Sequence, residues 1–292
     1  MARMKNRALA RSITISLIPA AILFSLFFVY PLITLGWSSF TLWDLRRLEW
    51  NGFGNYVRMF QDGAFLISVR NTAVWVGVAT LLHVPLGVYI AVTLSKNFTG
   101  WKLFRTFFFL PNVISIAAWS MMYRSVYNQR FGALNALLEF VGLEQFTANW
   151  LAQTDTALFA VILSWFFNIG FYLIITMAEI TSIPGELYEA ADIDGATPSQ
   201  KDRYITFPLL RKIIGTCMVL AVSISLVGFE YVYLMTEGGP ANQTMTLPMY
   251  VYRMYRLPQY GYSNTIGLFT LLFGFATLLV IHRSFRMNEG DL

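Results

Sequence analysis

Apolar residues fall along this chain in six runs of about 20 residues, at 13–37, 69–94, 106–123, 157–180, 213–235 and 265–282. Segments richer in charge, Gly, Asn and Pro separate them. A helix rising 1.5 Å per residue needs about 20 residues to cross the ~30 Å hydrocarbon core of a bilayer. Barrel strands would alternate apolar with polar positions, and these runs do not. The pattern predicts an all-α integral membrane protein with six transmembrane helices. Pro19 and Pro31 in the first run, Pro85 in the second and Pro111 in the third predict kinks, because proline removes a backbone donor and crowds the preceding turn.

Composition strengthens that reading. Of the 292 residues, 56% are hydrophobic and 13% charged, against roughly 25% charged in a soluble domain. Lone Cys217 excludes an internal disulfide framework, and only two histidines, His83 and His282, are present. The net charge of +5 is explained by topology and requires no nucleic acid. Thirteen Lys and Arg fall in 1–12, 95–105, 181–212 and the tail from 283, and seven in the longer connections of the other set. By the positive-inside rule both termini are cytoplasmic. Arg3, Lys5, Arg7 and Arg11 precede the first run. Its apolar core is too long for a cleaved signal peptide, so it is expected to stay as a signal anchor. The expected organisation is a cytoplasmic N-terminus at 1–12, a membrane domain at 13–282 and a cytoplasmic tail at 283–292.

The connection between the fourth and fifth runs, 181–212, is far longer than a simple turn requires. Pro184 suits a first helical position, with Glu186 in the first turn and Gly195 as a C-terminal cap. Thr197 can cap a second helix beginning at Pro198, with Gln200 at capping-box spacing. Two short helices hinged at Gly195 are expected, with small Ala190 and Ala191 and an acidic stripe of Glu186, Glu189 and Asp192.

Polar groups inside spans are costly and face the bundle interior. Asn168, Glu230 and Tyr233 are therefore candidates for a solute pathway. Gly238, Gly239 and Pro240 predict an outward turn.

Glu189-Ala190-Ala191, followed at fixed spacing by Gly195, Ile205 and Phe207-Pro208, resembles the EAA loop of ATP-binding-cassette (ABC) importer permeases, departing only in carrying Phe207 where leucine is usual. Asn51-Gly-Phe-Gly-Asn-Tyr56 with Asn71-Thr72, Arg105-Thr-Phe-Phe-Phe-Leu-Pro111, Gly132 with Asn135, and Thr236-Glu-Gly-Gly-Pro240 with Thr244 are similar to the maltose-transporter-like, carbohydrate-uptake branch. The resemblance implies that Glu186, Glu189, Ala190, Ala191, Asp192, Gly195, Ile205 and Pro208 form a coupling element docked on a motor subunit, and that Gly238, Gly239 and Pro240 lie under a docked binding protein. It also implies a second homologous permease, two copies of a cytoplasmic ATPase and an extracytoplasmic solute-binding protein, in a bacterial or archaeal plasma (inner) membrane. The P-loop pattern does not occur in this sequence, so ATP and Mg are expected on the ATPase partners, with no cofactor, metal or enzymatic activity in this chain. A sugar or sugar-like solute is the expected cargo. A glycerol phosphate, polyol or amino acid is the alternative, and a secondary transporter is the competing class.

Overall fold

The computed structural model describes residues 16–285. The expected N-terminal segment 1–12, the start of the first run and the tail beyond Phe285 lie outside the described residues. Among the described residues, four helices are long and apolar enough to cross a membrane: α1 (Ser16–Ser38), α3 (Gly63–Leu94), the pair α7 (Ala157–Phe166) and α8 (Gly170–Ile180), and α14 (Tyr260–Phe285). Two bent pairs bring the number to six when each counts as one span. The remaining elements are a β1–β2 hairpin (Thr41–Trp43, Leu48–Trp50), α2 (Gly54–Gln61), α6 (Ala133–Phe140), α9 (Gly185–Ile193), α12 (Glu230–Thr236) and α13 (Leu247–Arg256).

Two expected spans are corrected. The run at 106–123 is not one straight helix: α4 (Trp101–Phe109) runs through a 3₁₀ turn (Leu110–Val113) and meets α5 (Ile116–Val126) at 101°. Pro111 supplies the break, and Ser115 restarts the helix by accepting the Ala118 N–H at 3.3 Å. The run at 213–235 also stops early. Helix α11 (Arg211–Val227) ends at Gly228, whose ψ of 114° is extended, and α12 begins two residues later. Upstream, α10 (Pro198–Leu209) meets α11 at 61°.

The prolines act through widened turns. π-helical turns at Ser25–Val29, Ala79–His83 and Asp202–Thr206 lie just before Pro31, Pro85 and Pro208. An extra residue in the turn relieves the clash of the proline ring with the preceding carbonyl and absorbs its missing N–H.

The chain divides into two compact units. The first holds the described residues up to Gln61 together with Val251–Phe269. The most apolar window of α1 buries none of its residues, as befits a helix whose solvent is lipid. The hairpin turn is held by Asp44, whose carboxylate accepts the Arg46 and Arg47 N–H groups at 2.6 and 2.8 Å. Those bonds, Arg46 first, hold the Asp44 carboxyl below its ordinary value. Their contribution is present near neutral pH and is lost as pH falls through that lowered value. Buried Asn55 donates to the Ser39 and Thr41 carbonyls at 3.0 and 2.8 Å. Thr265 donates to Ser39 O at 2.9 Å, and the Arg58 guanidinium lies 3.9 Å from the Tyr262 ring centroid.

The second unit spans Asp62–Tyr250 and the described remainder of α14. Close approach of α3 and α8 rests on Gly87, where a Cβ would stand 3.1 Å from Tyr172 Cβ. Ala91, Leu94 and Leu173 form the core there, with Trp101 and Phe108 of α4 against it. Val76, Val222 and Ile281 form a second cluster, packed by Met218, Phe273 and Leu278. Cys217 is fully buried. Side chains of α3 hold the segment between α12 and α13: Asn71 donates to the Gln243 and Met245 carbonyls, both at 2.8 Å, and Thr72 Oγ1 accepts from Leu247 N at 2.9 Å. Tyr250 hydrogen-bonds Asp62.

Replacing Asn71 with Leu takes the donor from the buried Met245 carbonyl, at about 1–3 kcal/mol, and from the half-buried Gln243 carbonyl at a smaller cost. We expect a clear fall in the thermal unfolding midpoint of the purified chain in detergent. An unshifted midpoint would mean that these bonds contribute nothing net.

Candidate functional site

Two places gather the chemistry: the polar loop α9–α10 and a set of helix breaks deep in the bundle. The loop is closed on itself. Pro184 stands just before α9 as its N-cap (φ −58°, ψ 129°) instead of at the first helical position that its sequence suggested, which falls to Gly185. At the far end Gly195 has φ +72°. Its N–H reaches Asp192 O at 3.0 Å, and Ala196 N–H reaches Ala191 O at 2.9 Å. These are the paired bonds of a Schellman cap, which needs a left-handed residue at that point. Thr197 and Gln200 then form a reciprocal capping box at the start of α10.

Three further contacts fix the pair. Lys201 forms an ion pair with Asp192, so one member of the acidic stripe is engaged within the loop. Tyr188 and Thr206 share a hydroxyl hydrogen bond of 3.0 Å. Lys96, just past the end of α3, pairs with Asp202 at 2.6 Å. The Arg211 guanidinium donates to Ser284 O at 2.9 Å, so the close of α14 lies at the same end of this unit as the loop.

The outer surface of the loop is open. Glu186, Glu189, Ala190, Gly195 and Pro208 are exposed, and Ala191 and Ile205 are half-buried. The sequence reading missed Ile193 and Tyr204, large side chains that are 88% and 69% exposed. The signal available was their apolar size within an otherwise polar segment.

Inside the bundle, three helix interruptions converge. The α7–α8 span breaks around Asn168, α4–α5 breaks at 110–115, and α11–α12 breaks at Gly228. Asn168 Nδ2 is 3.3 Å from both Trp165 O and Tyr231 Oη. Asn112, with its amide oriented to suit its neighbours, donates to Asn168 O at 3.2 Å and accepts from Gly170 N at 3.3 Å. Gly170 has no room for a side chain: a Cβ would run into Phe108 O and lie 2.7 Å from Phe109 Cα.

Beside this junction lies a cavity of about 420 Å³ lined by Trp75, Trp165, Ser223, Glu230 and Tyr231, among others. Glu230 opens α12, and its carboxylate accepts the Phe229 N–H at 3.0 Å. Of the three pathway candidates, Glu230 lines the cavity and Asn168 reaches it through Tyr231. Tyr233 does not line it and lies with its ring 6.0 Å from Phe229. Because α11 stops at Gly228, the tyrosine presented to the cavity is Tyr231. An unbroken helix through 235 gave no sign of that.

The turn at 238–240 is tightly held. Gly238 is buried with φ +86°, a cis peptide joins Gly239 to Pro240, and both of these residues are half-buried. Thr244 donates to Gly239 O at 2.8 Å and shares a 2.7 Å hydrogen bond with Thr236. Among the described residues no group of three or more His, Cys, Asp or Glu is placed to hold a metal ion.

Broken spans around an inner cavity and a closed two-helix loop at one end define a multi-pass membrane permease. Residues 83–287 match the model of the family described as binding-protein-dependent transport system inner membrane component, and the chain belongs to that family. It is 32% identical over 290 residues to the diacetylchitobiose uptake system permease protein NgcF of Streptomyces coelicolor, covering 91% of this chain and 82% of that one. It is 31% identical to the lactose transport system permease protein LacF of Rhizobium radiobacter, with 85% of each chain covered. A chain of the bacterial alginate ABC transporter, crystallised with an alginate pentasaccharide-bound periplasmic protein, superposes with a TM-score of 0.83 at 26% identity, covering 99% of both chains.

Gly170→Ala is expected to cost about 1–3 kcal/mol, the usual range for overpacking. Gly185→Ala has nothing within 4 Å of the added methyl and should be neutral or slightly stabilising. Thermal unfolding of both variants in detergent checks the contrast; equal midpoints would contradict the close packing at the junction.

Proposed function

We propose that this chain translocates a sugar or sugar-like solute by alternating access, driven by separate ATPase subunits that dock on α9. The observation that carries the reading is the loop itself: a preassembled, internally bonded helix pair whose outer face is left open. A loop serving only to connect α8 to α11 needs neither its length nor its caps. The exposed set Glu186, Glu189, Ala190 and Ile193, with Ala191, Gly195, Ile205 and Pro208 behind and beside it, is the motor-docking face. Asp192 supports that face from within through Lys201.

The loop end is cytoplasmic. Lys96, Lys102, Arg105, Lys201, Arg203, Arg211 and Lys212 fall in the segments that meet there, which fits the positive-inside rule. The solute crosses past the junction of helix breaks, where Glu230, Tyr231 and Asn168 supply hydrogen-bonding groups and Trp75 and Trp165 supply flat apolar surface. Tyr233 acts from the edge of that path. On the outer side, Gly239 and Pro240, set by the turn at Gly238, contribute to the face met by a solute-binding protein. A second, homologous permease completes the pathway, and two ATPase subunits bind and hydrolyse ATP with Mg. Carbohydrate cargo is supported by the names of the relatives, which specify diacetylchitobiose, lactose and alginate.

Substituting Gly195 with Trp tests the coupling. No atom lies within 4 Å of a Cβ there, so the effect comes from forcing a left-handed backbone on an L-residue, about 1–2 kcal/mol. The assembled transporter should keep its subunits yet lose most solute-stimulated ATPase activity and uptake. Uptake and ATPase activity both at the unsubstituted level would sink the docking assignment. Calorimetry of the partner binding protein against oligosaccharides, polyols, glycerol phosphates and amino acids tests the cargo separately.

A further inference from the structure

One cavity is used by neither the solute path nor the loop surface. Where the connection after α3 meets the end of α8 and the first turns of α4, a pocket of about 550 Å³ is lined by Asn97, Trp101 and Arg105 on one side and by Ile174, Met177 and Ile183 on the other. Its charge has one sign, since no carboxylate lines it. The Arg105 guanidinium stacks over Trp101 at 5.0 Å from the ring centroid, and Lys102 Nζ lies 5.8 Å from the same ring. Among the described residues, neither cation has a protein acceptor. The neighbouring hydroxyls are already committed: Ser95 donates to Val92 O at 2.8 Å and Thr181 to Ala178 O at 2.7 Å. The donors left for an incoming anion are the guanidinium and the Asn97 amide.

The surroundings select the kind of anion. On the same helix, Leu103 and Phe107 are 75% and 69% exposed, side chains whose natural solvent is hydrocarbon. Trp101 stands at the helix start, the headgroup level that tryptophan favours. A cation without a protein partner beside acyl chains calls for a phosphate attached to an acyl chain.

We propose that this pocket holds an anionic phospholipid, its phosphate on Arg105 and Asn97 and one acyl chain along Ile174 and Met177. Lys102, across the Trp101 ring, adds to the attraction. The site adjoins the loop: Ser95 and Ile180 line both this pocket and the neighbouring cavity that contains Lys96, Tyr188 and Asp202. A bound lipid thereby braces the end of α3 from which Lys96 holds Asp202.

The test is native mass spectrometry of the assembled transporter released from phosphatidylcholine nanodiscs containing graded phosphatidylglycerol. The unsubstituted complex should retain phosphatidylglycerol in preference to phosphatidylcholine. Arg105→Gln should weaken that retention about fivefold, the factor equivalent to about 1 kcal/mol per cation near an anionic surface. Arg130→Gln, at an exposed arginine elsewhere, should leave it unchanged. If Arg105→Gln does not assemble, Asn97→Gly makes the same comparison, because it removes the amide while suiting the φ of +52°. Equal retention by the Arg105 and Arg130 variants, equal retention of phosphatidylcholine, or displacement by inorganic phosphate would overturn the proposal. So would a photo-crosslinker at Leu103 that captures a partner polypeptide in place of lipid.

Discussion

In a hydrocarbon solvent every backbone N–H and C=O must find its partner inside the protein, and a helix that breaks there exposes groups that water cannot rescue. This chain breaks three helices, and the side chains at the breaks answer one another. Asn112 serves the backbone of Asn168 and Gly170, and Asn168 serves Trp165 and Tyr231. Gly170 contributes by having no side chain. The cavity beside the junction follows from the same constraint, because the interrupted helices cannot fill the space that continuous ones would occupy. The polar character of the cavity's surroundings is thus a by-product of satisfying backbone.

Irregular segments in each unit solve a related problem with asparagine. Asn55, Asn71 and Asn135 each spend their side-chain amides on backbone groups of irregular segments. Asn55 binds the hairpin approach, and Asn71 the stretch before α13. Asn135 donates to Gln129 O and Ala148 O and accepts from Trp150 Nε1. A short amide offers both donor and acceptor, so one residue can replace the ladder that a loop lacks.

Much of this was legible in the sequence, for reasons that differ by element. The apolar runs revealed the spans because length and hydropathy are summed over many residues. The capping box at Thr197 and the left-handed Gly195 were legible because capping depends on local chemistry alone. The break at Gly228 was not, since a single glycine in an apolar run is compatible with a continuous helix. With the break, Tyr231 and not Tyr233 lines the cavity beside Glu230. The 101° bend after Pro111 was visible as a kink without its size, which depends on packing against α8. The roles of Asn71 and Asn135 were likewise hidden, because their partners are backbone groups that only tertiary structure brings near.

The Schellman cap, the capping box and the Lys201–Asp192 pair leave α9 and α10 few internal joints. The assembly is held at two separate places, through Lys96 at the end of α3 and through the 61° elbow into α11. A push on the Ile193 tip therefore becomes a torque about two fulcrums, and the stiff loop has little give in which to dissipate it. On the proposed docking, the stroke divides between α3, which carries Trp75, and α11, which leads to Glu230 and Tyr231. Two walls of one cavity would then be driven from a single contact.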